Sequence, residues 1–443
     1  MPGINLKRNI MISGAFRILI MAVIFLTSWL STRYLGVELK GKYSYLVTIA
    51  GFAWMILDLG INKTYPYILR KEPEQAGNLI IWSFLLFGAQ VLVLGLLGQL
   101  FLPFWSKFLG YGLDPLSLWM LIGLITLTQL HNHMQMFYLG LDWVKENSFW
   151  QLGHQVLMLM LVVVAAIFLR NADRLNIILV FSNLTMLAIN LVLGSKYALK
   201  RKLSGFSLPK ILSYYPMGFR VFLSSLLISL LLRADVMILK RMMGFESVGI
   251  YSLSAHMVDM MQLASNLVGS LLLVKLSDSS DDINRWILMK RIFILFVGLL
   301  SVTNLGFALV GKPLIVLVYG AGFAGSYNAY LWLIPASFGL SLGSLFNTYL
   351  WSKGFPLISV ILPGGALLSN IVLNLLLIPG MGVAGAGLAS SISYLLWFIS
   401  IVLYEQKLSG GRMLKHLIPC KADFWELWTM LKKLPGELFG TRD

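Results

Sequence analysis

Long apolar runs, separated by short polar connections, make up nearly the whole chain. Each run approaches the roughly 20 residues that a helix needs to cross a bilayer. The connections are too short to hold a soluble domain. The pattern predicts an all-α integral membrane protein. Its twelve transmembrane helices are expected at about Asn9–Ser31, Lys42–Ile61, Gly77–Leu102, Leu116–Leu139, Phe149–Leu169, Asn176–Tyr197, Ile211–Leu232, Val248–Val274, Trp286–Val310, Tyr330–Leu350, Leu357–Ile378 and Val383–Leu403.

Composition agrees with this prediction, because 58% of the residues are hydrophobic and 12% are charged. Ordinary soluble domains have about 45–50% apolar and 25% charged residues, so that class is excluded. The net charge of +16 would indicate nucleic acid as the partner of a soluble protein. Here it predicts basic loops that face anionic lipid, and no nucleic-acid partner.

The distribution of Lys and Arg predicts the orientation of the chain. With the N-terminus inside, the inner segments carry 23 basic residues and the outer segments 10. Basic residues are retained on the cytoplasmic side. We therefore expect a multi-pass protein of the cytoplasmic (inner) membrane with both termini in the cytoplasm. A basic tail at residues 405–443 is expected to include a helix on the inner leaflet, around Phe424–Leu431.

An internal repeat relates the two halves. Leu35–Ser44 (LGVELKGKYS) and Met243–Ser252 (MGFESVGIYS) share Gly, Glu, Gly, Tyr and Ser in register at an offset of 208 residues. Each copy follows a span with one embedded arginine, Arg17 or Arg220. Such a repeat predicts two pseudo-symmetric six-helix lobes, residues 1–199 and 200–404, around a central cavity.

The embedded arginines are the principal candidates for substrate binding. An arginine at the centre of a membrane helix costs about 2.5–3.5 kcal/mol on insertion scales and usually faces a cavity. Guanidinium forks suit phosphate oxygens, so Arg17 and Arg220 together could bind a diphosphate. Arg33 and Arg233 are weaker candidates, because like Asp235 they lie near predicted outer ends, where snorkelling accounts for them.

A polar stripe runs along the eighth predicted span. Its members lie within about 80° of one another on a helix: Ser252, Asp259, Gln262, Asn266 and Ser270. The stripe predicts either a hydrated substrate cavity or polar contacts between helices. Asp259 and Asp58 are candidates for ion coupling, although Asp58, near an inner helix end, could instead cap that helix or pair with Lys63.

Several short motifs carry no chemistry. Gly36–Lys42 spells G-x-x-x-x-G-K but joins two membrane helices, and Gly380–Gly385 predicts a tight turn rather than a dinucleotide site. His131 and His133 lie about 200° apart on a helix, so they should diverge and mark a polar helix end. Cys420 is the only cysteine. No catalytic arrangement, cofactor or metal site is predicted.

Four segments resemble the polysaccharide flippases of the multidrug/oligosaccharidyl-lipid/polysaccharide exporter (MOP) superfamily: Arg33–Gly36, Gly41–Ser44, Asp58–Gly60 and Pro379–Ser390. The resemblance extends over about Asn9–Leu403. It implies two lobes around a cavity, in which Arg17 and Arg220 line the first helix of each lobe. It also implies transport of a polyprenyl-diphosphate-linked oligosaccharide from the inner to the outer leaflet, alongside a polysaccharide polymerase or glycosyltransferases. The peptidoglycan-precursor branch, typically with fourteen spans and more cavity arginines, is a poorer match.

Other classes remain open at this stage. An ion-coupled multidrug efflux transporter of the same superfamily is the main alternative, but its cavity should be acidic. A membrane glycosyltransferase, polymerase or ligase would usually carry a large outer loop or an acidic metal-nucleotide site. A purely structural membrane protein would leave the repeated arginines unexplained.

Overall fold

Helices account for almost all of the backbone in the computed structural model, which describes residues 6–109, 114–169, 173–200, 206–278, 282–353, 357–418 and 423. No strand occurs in these ranges, and three short 3₁₀ turns join some of the helices. The helices are α1 Leu6–Asp58, α2 Tyr65–Lys71, α3 Ala76–Leu100, α4 Leu102–Leu109, α5 Pro115–Gly140, α6 Val144–Phe168, α7 Arg174–Lys200, α8 Leu208–Leu212, α9 Tyr215–Met243, α10 Phe245–Asp278, α11 Asp282–Tyr319, α12 Gly325–Ser352, α13 Ile358–Met381, α14 Val383–Leu408 and α15 Arg412–Leu417. The predicted interfacial helix near the C-terminus lies outside the described residues.

Nine helical segments in the described part of the chain are long and apolar enough to cross a membrane. The protein is therefore an all-helical, multi-pass membrane protein. Two further helices of sufficient length, α5 and α10, are not among these nine. They carry the His131–His133 segment and the Asp259 stripe, whose side chains need partners inside the protein. Twelve membrane crossings therefore remain a prediction.

The repeat motif has the same backbone turn in both copies. Helix α1 is interrupted at Gly36, where φ is 76°, and Gly244 between α9 and α10 has φ of 84°. Positive φ is readily adopted by glycine, so the motif retains Gly at the point where one helix gives way to the next. Helices on both sides of Gly36 also exclude a phosphate loop, which needs a preceding strand.

Contacts divide the chain into two compact units, Met1–Ser229 (unit 1) and Leu230–Asp443 (unit 2). The division lies within α9, whereas the boundary expected from the sequence lies in the connection before it. In unit 1, α1 packs against α5, α6 and α7, and α3 packs against α5. In unit 2, α12 packs against α10 and α14, and α13 packs against α14.

Two helices continue beyond their predicted ends. Helix α9 was expected to end at Leu232 but continues to Met243, and α11 continues through Pro313 to Tyr319, into the segment expected as a glycine-rich loop. The sequence after Pro313 is apolar, so the helical pattern resumes there. The extension of α9 matters for function, because it moves Arg233 and Asp235 into the interior of a helix.

The Pro379–Ser390 segment forms the expected tight turn. Helix α13 ends at Met381, Gly382 has φ of 58°, and α14 begins at Val383. The two helices then run so close together that a Cβ on Gly385 would lie 2.5 Å from the carbonyl oxygen of Leu377. The sequence predicted the tight turn, and the structure shows that this turn brings α13 and α14 into close contact.

An ion pair outside the spans joins α2 to α8. The Lys210 Nζ lies 2.7 Å from an oxygen of Glu72, which also accepts a hydrogen bond from the Tyr214 hydroxyl at 3.1 Å. The hydrogen bond from Lys210 holds the pKa of Glu72 below its ordinary value, and the same bond raises the pKa of Lys210.

Close packing of α12 on α14 yields a stability prediction. A Cβ on Gly339 would lie 2.6 Å from backbone atoms of Tyr394 and Leu395, whereas a Cβ on Gly365 would meet nothing within 4 Å. Gly339→Ala should therefore destabilise the protein by about 1–3 kcal/mol through overpacking. Gly365→Ala should be neutral or stabilising by up to about 1 kcal/mol. Thermal unfolding of the purified protein in detergent compares the two, and equal midpoints would contradict this packing.

Candidate functional site

The predicted arginine pair sits on the two helices that precede the repeat turns. Arg17 lies on α1 before Gly36, and Arg220 lies on α9 before Gly244. Their side chains, like that of Asn266, lie outside the described part of the structure. The joint binding of a diphosphate by these arginines therefore stays a prediction.

Arg233 and Asp259 form an ion pair between α9 and α10. The distance between Arg233 Nη2 and Asp259 Oδ2 is 2.5 Å, and the side chains are 37% and 28% exposed. Arg233 lies ten residues before the end of α9, about 15 Å along the helix, so the outer-end interpretation was wrong. Charged groups in contact with lipid tails are costly, so this half-exposed pair is expected to face water.

Gln262 and Arg33 have different surroundings. Gln262 lies one turn after Asp259, and its Nε2 donates to Ser344 Oγ at 3.3 Å, which connects α10 to α12. Part of the predicted polar stripe thus makes contacts between helices. Arg33 is exposed and lies three residues before the break at Gly36. Of the predicted substrate-binding residues with described side chains, only Arg233 and Asp259 are in direct contact.

Asp235 is an acidic site that the sequence analysis missed. Its side chain is only 1% exposed, although it was expected to snorkel at a helix end. The carboxylate accepts hydrogen bonds from the Tyr251 hydroxyl, from Ser390 Oγ at 3.2 Å and from the Val236 N–H at 2.7 Å. Tyr251 belongs to the repeat motif, and this was the one sequence signal that pointed to the site.

Asp58 lies at the end of α1 in a second buried polar cluster. Its Oδ1 is 2.5 Å from His133 Nε2, and both side chains are 1% exposed. Gln129 Nε2 is 3.5 Å from the same oxygen. The main contact of Asp58 is therefore His133 on α5, while Lys63, one of the alternatives considered from the sequence, interacts with its charge at longer range.

Two hydroxyl groups complete this cluster at the other nitrogen of the ring. Tyr65 Oη and Ser83 Oγ lie 2.9 Å and 3.0 Å from His133 Nδ1. Each hydroxyl can donate or accept, so the ring can be hydrogen-bonded in its neutral and in its protonated form. The cluster joins α1, α2, α3 and α5.

The two histidines on α5 diverge, as their spacing predicted. His131 Nδ1 lies 3.3 Å from Asn190 Oδ1 on α7, and its Nε2 lies 2.6 Å from Gln135 Nε2. His133 faces Asp58 instead. The expectation that both merely mark a polar helix end was wrong for His133, because that residue is buried.

The fold is similar to that of membrane transporters of the MOP superfamily. The chain matches a lipid II flippase, MurJ, in an inward closed conformation, with a TM-score of 0.71, 13% identity, and coverage of 96% of this chain and 93% of that one. It matches an inward-facing multidrug resistance MATE family transporter with a TM-score of 0.70, 13% identity, and coverage of 91% and 99%. A MOP superfamily transporter from Pyrococcus furiosus gives a TM-score of 0.62, 14% identity, and coverage of 93% and 97%.

The sequence model of the polysaccharide biosynthesis protein family matches residues 6–274, more than half of the chain. The chain therefore belongs to that family, and its fold agrees with the resemblance to the MOP superfamily. A search of curated protein sequences found no match.

The buried Asp58–His133 pair yields a stability prediction with a control on the same helix. His133→Ala should destabilise the protein by about 3–5 kcal/mol, because it leaves a buried carboxylate without its main partner. His131→Ala removes hydrogen bonds but leaves no buried carboxylate without a partner, so it should destabilise the protein by only about 1–2 kcal/mol. Denaturant unfolding of the purified variants measures both. A His133→Ala variant as stable as His131→Ala would show that the pair is absent from the native protein.

Proposed function

We propose that this protein is a flippase that moves a polyprenyl-diphosphate-linked oligosaccharide, a repeat unit of a surface polysaccharide, from the inner to the outer leaflet. The observation that carries the proposal is the combination of a polysaccharide biosynthesis family match with a fold similar to a lipid II flippase along nearly the whole chain. A polysaccharide polymerase or glycosyltransferases would act with it, and both termini would be cytoplasmic in an inner-membrane protein.

Alternating access by two repeated lobes is the proposed mechanism. The diphosphate would bind Arg17 and Arg220, because planar guanidinium groups suit phosphate oxygens. The glycan would occupy a hydrated central cavity between lobes 1–199 and 200–404, while the prenyl chain stays in lipid. The half-exposed Arg233–Asp259 pair supports a hydrated surface on α9 and α10. Arg33, Gln262 and Asn266 are further proposed contacts of the substrate.

The arginine pair is tested by transport in reconstituted vesicles. Arg17→Ala and Arg220→Ala should each weaken substrate binding by about 1.5–3 kcal/mol, the contribution of a hydrogen bond to a charged group, or about 10- to 100-fold. Arg241→Ala, in the last turn of α9, is the control and should transport normally. The measurement is outward transfer of a fluorescent polyprenyl-diphosphate glycan. Normal transport by both arginine variants would contradict the proposed diphosphate site.

Ion coupling is proposed at Asp58 and Asp259, and the contacts favour Asp58. The charge of Asp259 is already matched by Arg233, which is permanently cationic. Asp58 instead contacts a histidine, the side chain whose charge most readily changes near neutral pH.

Transport measured against pH and sodium distinguishes these acids. Asp58→Asn should flatten the pH dependence of transport, because the pair then has no carboxylate to neutralise. Asp259→Asn should retain the parent's pH profile with a lower maximal rate. The opposite pattern would assign coupling to Asp259, and unchanged profiles in both variants would exclude both acids.

An ion-coupled multidrug efflux transporter is the alternative, supported by the similarity to a MATE family transporter and by the buried acid Asp235. Deletion of the gene would then cause drug hypersensitivity with surface glycan intact. Loss of surface glycan without drug hypersensitivity is expected for the flippase.

A further inference from the structure

Unit 1 contains a cavity of about 240 Å³ between α1, α6 and α7, whose lining combines apolar side chains with Lys40, His154 and several hydroxyl groups. We propose that this cavity binds a hydroxyl-bearing anion about the size of one sugar residue, with Lys40 as its charge partner. The inference rests on the proposed function and deepens it, since it assigns a separate subsite to an acidic sugar of the glycan. The volume is below the about 300–1,000 Å³ typical of sites for drug-sized ligands, so one sugar residue suits it better.

Lys40 supplies the cavity with a cation that no described carboxylate neutralises. Its Nζ lies 5.5 Å from the ring centre of Tyr43, which also lines the cavity. The nearest acidic residue in sequence, Glu38, forms its ion pair with Lys42 instead, at 2.9 Å. None of the described residues lining the cavity is acidic. A partly buried charge in such a place is stabilised by an anion from outside.

His154 is a buried part of the cavity wall and is 8% exposed. Its Nδ1 lies 3.4 Å from Gln155 Nε2, whereas its Nε2 has no hydrogen-bond partner among the described residues. A neutral imidazole that accepts at Nδ1 carries its proton on Nε2. This nitrogen has less than 1 Å² of accessible surface, so the proposed site relies on Lys40 for its donor.

The hydroxyl groups of the wall are suited to accept hydrogen bonds. Thr27, Ser31 and Thr185 donate to helix carbonyl oxygens at 2.8, 3.2 and 3.1 Å. Their protons are engaged and their remaining lone pairs are free to accept from hydroxyl groups of a ligand. The cavity therefore combines acceptors for sugar hydroxyls with a cation for an acidic group. A neutral sugar would leave Lys40 without a partner, and a bare oxyanion would leave the acceptors unused.

The repeat supports an anion in unit 1 by contrast with unit 2. Tyr43 and Ser182 both line the cavity of unit 1, and at the same offset of 208 residues Tyr251 hydrogen-bonds Ser390. In unit 2 this contact adjoins the buried carboxylate of Asp235. The residue 208 positions earlier is the neutral Thr27, and the position equivalent to Lys40 is Val248. Related places in the two units thus carry opposite charge.

Thermal unfolding of the full-length protein in detergent tests the proposal with four probes: glucuronate, glucose 1-phosphate, glucose and inorganic phosphate. Glucuronate or glucose 1-phosphate should raise the midpoint of the parent protein, because ligands that bind the native state stabilise it. Glucose and inorganic phosphate should raise it much less. Tighter binding of glucuronate would indicate that the anionic group of the natural ligand is a carboxylate. Tighter binding of glucose 1-phosphate would indicate that it is a phosphate.

Variants of Lys40 identify the site. Lys40→Met should lower affinity for the acidic sugar at least about tenfold, and Lys40→Arg should retain it, since hydrogen bonds to charged groups contribute about 1.5–3 kcal/mol. Lys42→Met is the matched control and should bind like the parent. Equal stabilisation by glucose and glucuronate would overturn the proposal. So would equal stabilisation by inorganic phosphate, unchanged affinity in Lys40→Met, or no response to any probe.

Failure of the proposed subsite can be distinguished from failure of the proposed function. If the protein is not a flippase, the parent fails to transfer any lipid-linked glycan, whatever the monosaccharides do. If only the subsite is wrong, the parent transfers the glycan and Lys40→Met transfers acidic and neutral glycans as well as the parent does.

Discussion

The interior of a bilayer offers no hydrogen-bond partner to a polar group, and this constraint organises the helices of the protein. Each buried acid with a described side chain has a partner on another helix or helix end. Asp58 contacts His133 on α5, Asp235 contacts Tyr251 on α10, and Glu405 lies 2.7 Å from the ammonium of Lys353. Such contacts decide which apolar helices become neighbours, because apolar surfaces alone can pack in many ways.

The two units retain the backbone of a common ancestor but differ in their charges. Gly36 and Gly244 provide the same turn, and each repeat places a tyrosine against a serine. Beside that contact, unit 2 carries a buried acid, whereas unit 1 carries a cavity with a lysine. A duplicated scaffold with opposite charges in related places can serve an anionic substrate and a cation or proton separately.

Similarity at 13% identity extends both to a lipid II flippase and to a multidrug transporter, with nearly equal TM-scores of 0.71 and 0.70. The fold alone therefore does not choose between these two kinds of protein, and any substrate preference depends on side chains. Here those side chains include basic and hydroxyl groups on α1 and an arginine–aspartate pair on α9 and α10. They favour an anionic, hydroxyl-rich substrate over an organic cation.

The sequence alone determined the helical class, the repeat, the divergence of the two α5 histidines and the turn at Gly382, because each follows from helix geometry or from glycine's freedom at positive φ. It could not determine the partners of buried acids. His133 lies 75 residues from Asp58, and Ser390 lies 155 residues from Asp235. Arg233 was taken to mark a helix end because an isolated charge avoids lipid. Only the tertiary structure supplied its counter-charge, Asp259, 26 residues along the chain.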